Sequence, residues 1–187
     1  MSFSIISTTE YTTDNSNKTS RFRLVLLFDL QYDIIISRGD FMRILIDADG
    51  CPVVDIALKA AREKDAECHI FCDTCHVFEK EGAETHVVPK GADSADFALA
   101  NFAKRRDIVI TQDYGLASMC LSRGAICINQ DGCEYTEDNI DGLLFARHTA
   151  KKVRNAGGRI KGPPKRTKEQ DVRFEEKLND ILRRESK

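Results

Sequence analysis

The chain of 187 residues contains no tryptophan, and aromatic residues make up only 7% of it. Platforms that stack successive bases of a single strand therefore have little material to work with. No apolar run approaches the roughly 20 residues that a membrane-spanning helix requires, so no membrane role is expected. The first residues, MSFSIISTTEYTTDNSNKTS, lack the basic start and continuous apolar run of a secretory signal. The seven cysteines are an odd number in a chain with no export signal, which points to a reducing compartment. A cytoplasmic protein is expected. No internal repeat is present.

What the sequence does contain is an ordinary globular composition, 42% hydrophobic and 31% charged, at a length suited to one domain with a full core. The net charge of -2 conceals an asymmetry. From Arg147 to Lys187 there are 14 Lys/Arg against 6 Asp/Glu, while the rest of the chain holds 14 basic and 24 acidic residues. An acidic body with a basic tail suits a polyanion bound beside a metal site, or simply a solvated basic helix face. Residues 1–41 differ from the remainder: Ser, Thr and Asn dominate the start, and FRLVLLFDLQYDIIIS has neither caps nor turn chemistry. They are expected to be an N-terminal extension, disordered or arising from a start assigned upstream of Met42. A genuine edge-strand extension is the alternative.

From Met42 onward the pattern alternates. Strands are expected at 43–47, 67–72, 85–88, 107–111 and 125–129. Helices are expected from Pro52 to Lys64, over DSADFALANFAKR, from Gly115 to Arg123, from Glu137 to Asn155 and from Thr167 to Arg184. Pro at a first helical position and Gly124 after a last one fit this reading. Strands alternating with helices predict an α/β fold, a three-layer sandwich whose mostly parallel sheet is covered on both faces.

Ligands of such sheets bind beyond the carboxyl ends of the strands. Acids gather there. Asp47 closes the first strand, Asp49 opens the following turn, and Asp113 closes IVITQD. Asp93 and Asp96 stand three apart at a helix start, hence on one face. Carboxylates brought within ~4–6 Å repel, so they must share a proton or a cation. A hard ion, Mg²⁺ or Mn²⁺, takes oxygen ligands and orients phosphates for attack by water. The predicted metal ligands are Asp47, Asp49, Asp96 and Asp113, with Asp93 and Thr111 in support. Asp47 and Asp113 are the predicted catalytic pair, and phosphodiester or phosphate hydrolysis is the implied chemistry. Each acid also has a structural explanation: Asp49 or Asp93 as a helix cap, Asp96 as a first-turn residue, Asp113 as a turn residue. Asp47 is the hardest to dismiss, because an aspartate ending a buried strand needs a partner.

The stretch CHIFCDTCH carries a second cluster. Cys72, Cys75 and His76 have the spacing of a haem attachment motif, but that chemistry needs an exported protein. Cys68, Cys72, Cys75, His69 and His76 supply zinc-type ligands without the second pair that makes such spacing convincing. A dithiol redox role needs the pair at a helix start, and this one lies at a strand end. The expectation is that these are small residues in and after a buried strand. Cys51, beside the acids, carries no catalytic assignment.

ILIDADGCPV, GADSADFALA, IVITQDYGLA, YTEDNI and GPPKRTKEQDVRFEEKL, in this order and spacing, resemble the uncharacterised bacterial YaiI/YqxD family. The resemblance runs from about Met42 to the C-terminus and stops short of residues 1–41. That family in turn is similar to the PIN-domain nucleases, which gather acids around Mg²⁺ or Mn²⁺ to cut RNA. The resemblance implies a PIN-like fold. It implies that Asp47 is the first acid, Asp113 the later strand-end acid with Thr111 beside it, and Asp93 or Asp96 the acid of a middle helix. The spacing around GADSAD departs from the standard pattern. The fourth acid has no clear match, Asp131 being the nearest candidate.

Two other functions compete. DADG resembles the D-x-D-G loop of haloacid-dehalogenase-type phosphatases, although Cys51-Pro52 stands where those enzymes have Thr or Val and a flap. A non-catalytic PIN-like module would instead bind RNA or a protein through Lys165, Arg166, Lys168 and Arg173 around the GPP break. Substrate and oligomeric state are not specified by these residues.

Overall fold

The computed structural model describes residues 42–74, 80–89, 91, 93–157 and 165–186. The segment 1–41, with its expected extension, and Cys75 and His76 lie outside the described residues. Strands β1 (Arg43–Asp47), β2 (Glu67–Asp73), β3 (Glu84–Val88), β4 (Ile108–Ile110), β5 (Ile126–Ile128) and β6 (Glu134–Tyr135) form one sheet in the order β3-β2-β1-β4-β5-β6. All neighbours pair parallel except β5 and β6, which are antiparallel. The helices are α1 (Val54–Glu63), α2 (Ser94–Phe102), α3 (Tyr114–Leu121), α4 (Glu137–Asn155) and α5 (Lys168–Glu185).

Alternation along the central strands sorts the core into two layers, because successive side chains leave opposite faces. Ile44, Ile46, Ile108 and Ile110 pack with Ala57 and Leu58 of α1 and with Phe174, Leu178 and Ile181 of α5. Leu45, Val109 and Phe71 pack on the other face with Leu99 of α2, Leu116 and Cys120 of α3 and Ile140 of α4. The expected α/β sandwich with helices on both faces is the observed architecture.

The elements agree with the sequence reading, with local shifts. Helix α1 begins at Val54 and not at Pro52, because Pro52 and Val53 complete the turn that Gly50 starts at φ +70°. β4 stops at Ile110, ahead of Thr111. The short β6 carried no expectation; at two residues it has no periodicity to detect. The β1–β4 pairing is locked at its amino end, where Arg43 Nε donates to Asp107 Oδ1 at 3.0 Å and both side chains are nearly buried. At the carboxyl end the same pairing sets Asp47 and Thr111 side by side.

Candidate functional site

Asp47 follows Ile46 in β1, and Thr111 follows Ile110 in β4, whose Cα atoms are register partners. Both side chains therefore leave the sheet on the α2–α3 face. Thr111 is 1% exposed, and its hydroxyl donates to Asp47 Oδ2 at 2.7 Å. The Thr111 hydroxyl oxygen in turn accepts the Asp113 N–H at 3.0 Å. The half-buried strand-end carboxylate thus has its partner. Burial pushes the Asp47 carboxyl up from its ordinary value, against the Thr111 hydrogen bond and the Asp49 N–H, which favour the charged form.

Asp49 is exposed on the turn after β1, where the Cys51 N–H closes on the Ala48 carbonyl at 3.2 Å. It caps no helix. Asp93 occupies the residue before α2 in a left-handed conformation, φ 57°, and its side chain makes no cap bond. Asp96 lies in the first turn of α2. Its carboxyl is raised to about 6 by burial and by the negative charge of Asp47, Asp113, Asp93 and Asp49.

Asp113 does not close a strand. It stands beyond the end of β4 as the residue that caps α3, its Oδ1 accepting the N–H groups of Gly115 at 2.6 Å and Leu116 at 3.3 Å. Its Oδ2 accepts from Arg147 of α4 at 2.8 Å. Burial works to raise this carboxyl, but Arg147 and the backbone donors outweigh it and hold it below the ordinary value. Arg147 is the residue the sequence reading missed. It lies 34 positions away on a helix whose other basic residues are alike in sequence, so no local signal distinguishes it.

The acids are not packed as direct ligands of one ion. Among the described residues, the group of three metal-type ligand atoms that all lie within 4.8 Å of one another is His69, Glu84 and His86 instead. Asp131, the nearest match to a fourth acid, accepts from Arg166 at 3.1 Å and Gln170 at 2.9 Å and so seats the start of α5. Arg166, expected to contact nucleic acid, spends its guanidinium on Asp171, Asp131 and the Gln130 carbonyl. Lys165, Lys168 and Arg173 are exposed.

The cysteines divide by strand alternation. Cys68 and Cys72 are buried on the α1–α5 face of β2, at 4% and 1% exposure, whereas His69 points to the opposite face. The expected buried-strand role holds for both, and neither can share an ion with His69. Cys51, half-buried next to the Asp47 turn, has its thiol pushed up to about 11 by burial, which makes it a poor nucleophile.

A protein-family model described as "Uncharacterized BCR, YaiI/YqxD family" matches residues 45–184. A UPF0178 protein of Exiguobacterium sibiricum is 47% identical over 141 residues, covering 75% of this chain and 96% of that relative. A UPF0178 protein of Clostridium acetobutylicum is 45% identical over 145 residues, 76% of this chain and 98% of its own length. One from Natranaerobius thermophilus is 42% identical over 141 residues, 75% and 96% of the two chains. No solved structure matches.

Proposed function

From a chain that belongs to the YaiI/YqxD family, whose description carries no chemistry, we infer a divalent-metal-dependent phosphodiesterase acting on RNA. The observation that supports this is the Asp96 carboxyl raised to about 6 by burial and by four other aspartates. Burial is the first cause of that rise, and the neighbouring carboxylates add to it, as like charges do where no cation offsets them. Oxygen donors in excess suit Mg²⁺ or Mn²⁺, and because the acids are spread, one or two would ligate directly with waters between, as Mg²⁺ prefers. Asp47 and Asp96 would hold the ion, and Asp49 would reach it through water. When bound, such an ion supplies positive charge to a phosphate oxygen and a more acidic water.

The chain's own residues do the rest. Thr111 orients Asp47 by its 2.7 Å hydrogen bond. Asp113 fixes the start of α3 and holds Arg147 beside the acids. The Arg147 guanidinium is half-exposed and keeps N–H groups for a phosphate oxygen. RNA is the substrate that the likeness to PIN nucleases implies, and the exposed Lys165, Lys168 and Arg173 supply charge for its backbone.

The test is a Mn²⁺ titration of wild type, Asp47→Ala and Asp113→Ala, alongside cleavage of a labelled single-stranded RNA. Wild type should bind and cleave, and Asp47→Ala should weaken Mn²⁺ binding by about tenfold or more, the order seen when groups at a metal site are lost. Equal binding by all three proteins removes the reading.

One observation favours a non-catalytic binding module: Arg147 already acts as a cation for Asp113. Arg147→Ala separates the two. If the acids form a metal site, freeing Asp113 should tighten Mn²⁺ binding. If RNA binding persists while neither protein takes up Mn²⁺, the module is the function.

A further inference from the structure

Across the α2 side of the sheet from the acids, β2 and β3 bring three other side chains together. Glu84 stands opposite His69 in the β2–β3 register, and His86 stands opposite Phe71. His69 Nδ1 lies 3.1 Å from His86 Nε2 and 3.6 Å from Glu84 Oε2, and His86 Nε2 lies 3.8 Å from Glu84 Oε1. We propose that His69, His86 and Glu84 form a Zn²⁺ site at the edge of the sheet, separate from the acid centre.

The separations are those of ligands around one ion. Nitrogen and oxygen donors ~2.0–2.1 Å from a tetrahedral zinc stand about 3.3 Å apart, edge to edge. Imidazole pairs with one carboxylate select zinc-type ions over Mg²⁺ or Ca²⁺. The rings are held in place before any ion arrives: His86 stacks on Phe71 at 4.6 Å between centroids, and His69 sits 4.9 Å from the Phe102 ring. The Arg43 guanidinium lies over the Phe102 ring, 4.7 Å from its centre.

A second observation is independent of these distances. His69 is 6% exposed, and its Nε2 is buried without a hydrogen-bond partner. A hydrogen bond between the two imidazoles uses only Nδ1 of His69 and leaves the other nitrogen orphaned. With Nδ1 on a metal, Nε2 carries the proton and faces Glu67 Oε2, 3.7 Å away. A metal-bound histidine holding its other N–H against a carboxylate is the usual arrangement. Glu84 and His86 are the more open members, at 68% and 25% side-chain exposure, so the fourth position faces solvent and takes water. Such an ion would clip β3 to β2.

The experiment is a Zn²⁺ titration of the full, untagged chain, read by calorimetry and by imidazole nitrogen NMR. One equivalent should move the His69 Nδ1 and His86 Nε2 resonances. His86→Ala should weaken binding by about 30-fold and Glu84→Gln by about tenfold, within the range for lost groups at such sites. Asp47→Asn should bind Zn²⁺ as wild type does, whatever its effect on Mn²⁺. Zn²⁺ that leaves both resonances in place, binds His86→Ala as tightly as wild type, or is lost in Asp47→Asn overturns the proposal.

Discussion

Asp96 holds its proton to about pH 6, where an ordinary aspartate releases it near 3.8. The folded protein therefore binds more protons than the unfolded chain between those values. Stability falls as pH rises through that window and is level above it. Asp96→Asn removes the effect. In chelator-containing buffer the variant should match wild type below about pH 4. Above pH 6 it should be more stable by on the order of 1 kcal/mol, a figure reduced for the partial solvent screening of this side chain. Urea denaturation at several pH values measures the difference, and an Asn variant less stable than wild type at pH 7 would contradict it. Thr111 shows a different arrangement: its buried hydroxyl donates to Asp47 and accepts from the Asp113 N–H.

At the scale of elements, the site depends on how turns and helix starts are set. The loop between β5 and β6 is one such place. Asn129 Oδ1 accepts the N–H groups of Asp131 at 2.8 Å and Cys133 at 2.9 Å, and Gly132 adopts φ +77° between them. A Cβ on Gly132 would lie 3.0 Å from the Arg173 carbonyl oxygen and 3.2 Å from the Phe174 Cα. Both contacts are backbone of α5 and cannot swing aside. Gly132→Ala combines this clash with a left-handed conformation, so a loss of about 1–3 kcal/mol is expected. Thermal unfolding reads it directly. A neutral result would mean that α5 is not seated as described.

The whole molecule carries its basic excess after Arg147 and its acids at the strand ends. Among the described residues no helix is long and apolar enough to cross a membrane. If the tail holds RNA, the contacts come from Lys165, Lys168 and Arg173, because Arg166 is committed to Asp131 and Asp171. Replacing those three by alanine should lower the slope of log affinity against log salt by about 2, at ~0.7 per phosphate contact on a single strand. The Arg166→Ala variant should instead lose stability. An unchanged salt slope in the triple variant would remove the tail from the RNA surface.

Much of the architecture was legible in the chain. The strand of Ile44 to Ile46, the 3.6-residue period of Val54, Ala57, Leu58 and Ala61, and the helix spanning Glu137–Asn155 all carry local patterns that packing then reinforces. Asp47 was also legible as a special residue, since a carboxylate that ends a buried strand demands a partner whatever the fold. The identity of that partner was not. Thr111, 64 positions away, meets Asp47 only because β1 and β4 are neighbours. Asp113 looked like a strand-end acid and is a helix cap paired with Arg147, a choice made by where α4 crosses α3. His69 looked like part of a cysteine cluster, yet strand alternation turns it away from Cys68 and Cys72 toward His86. Local patterns set which segments become strands and helices, because period and turn chemistry act over a few residues. Which side chains share a site was decided by strand order and register, which join residues that the chain keeps far apart.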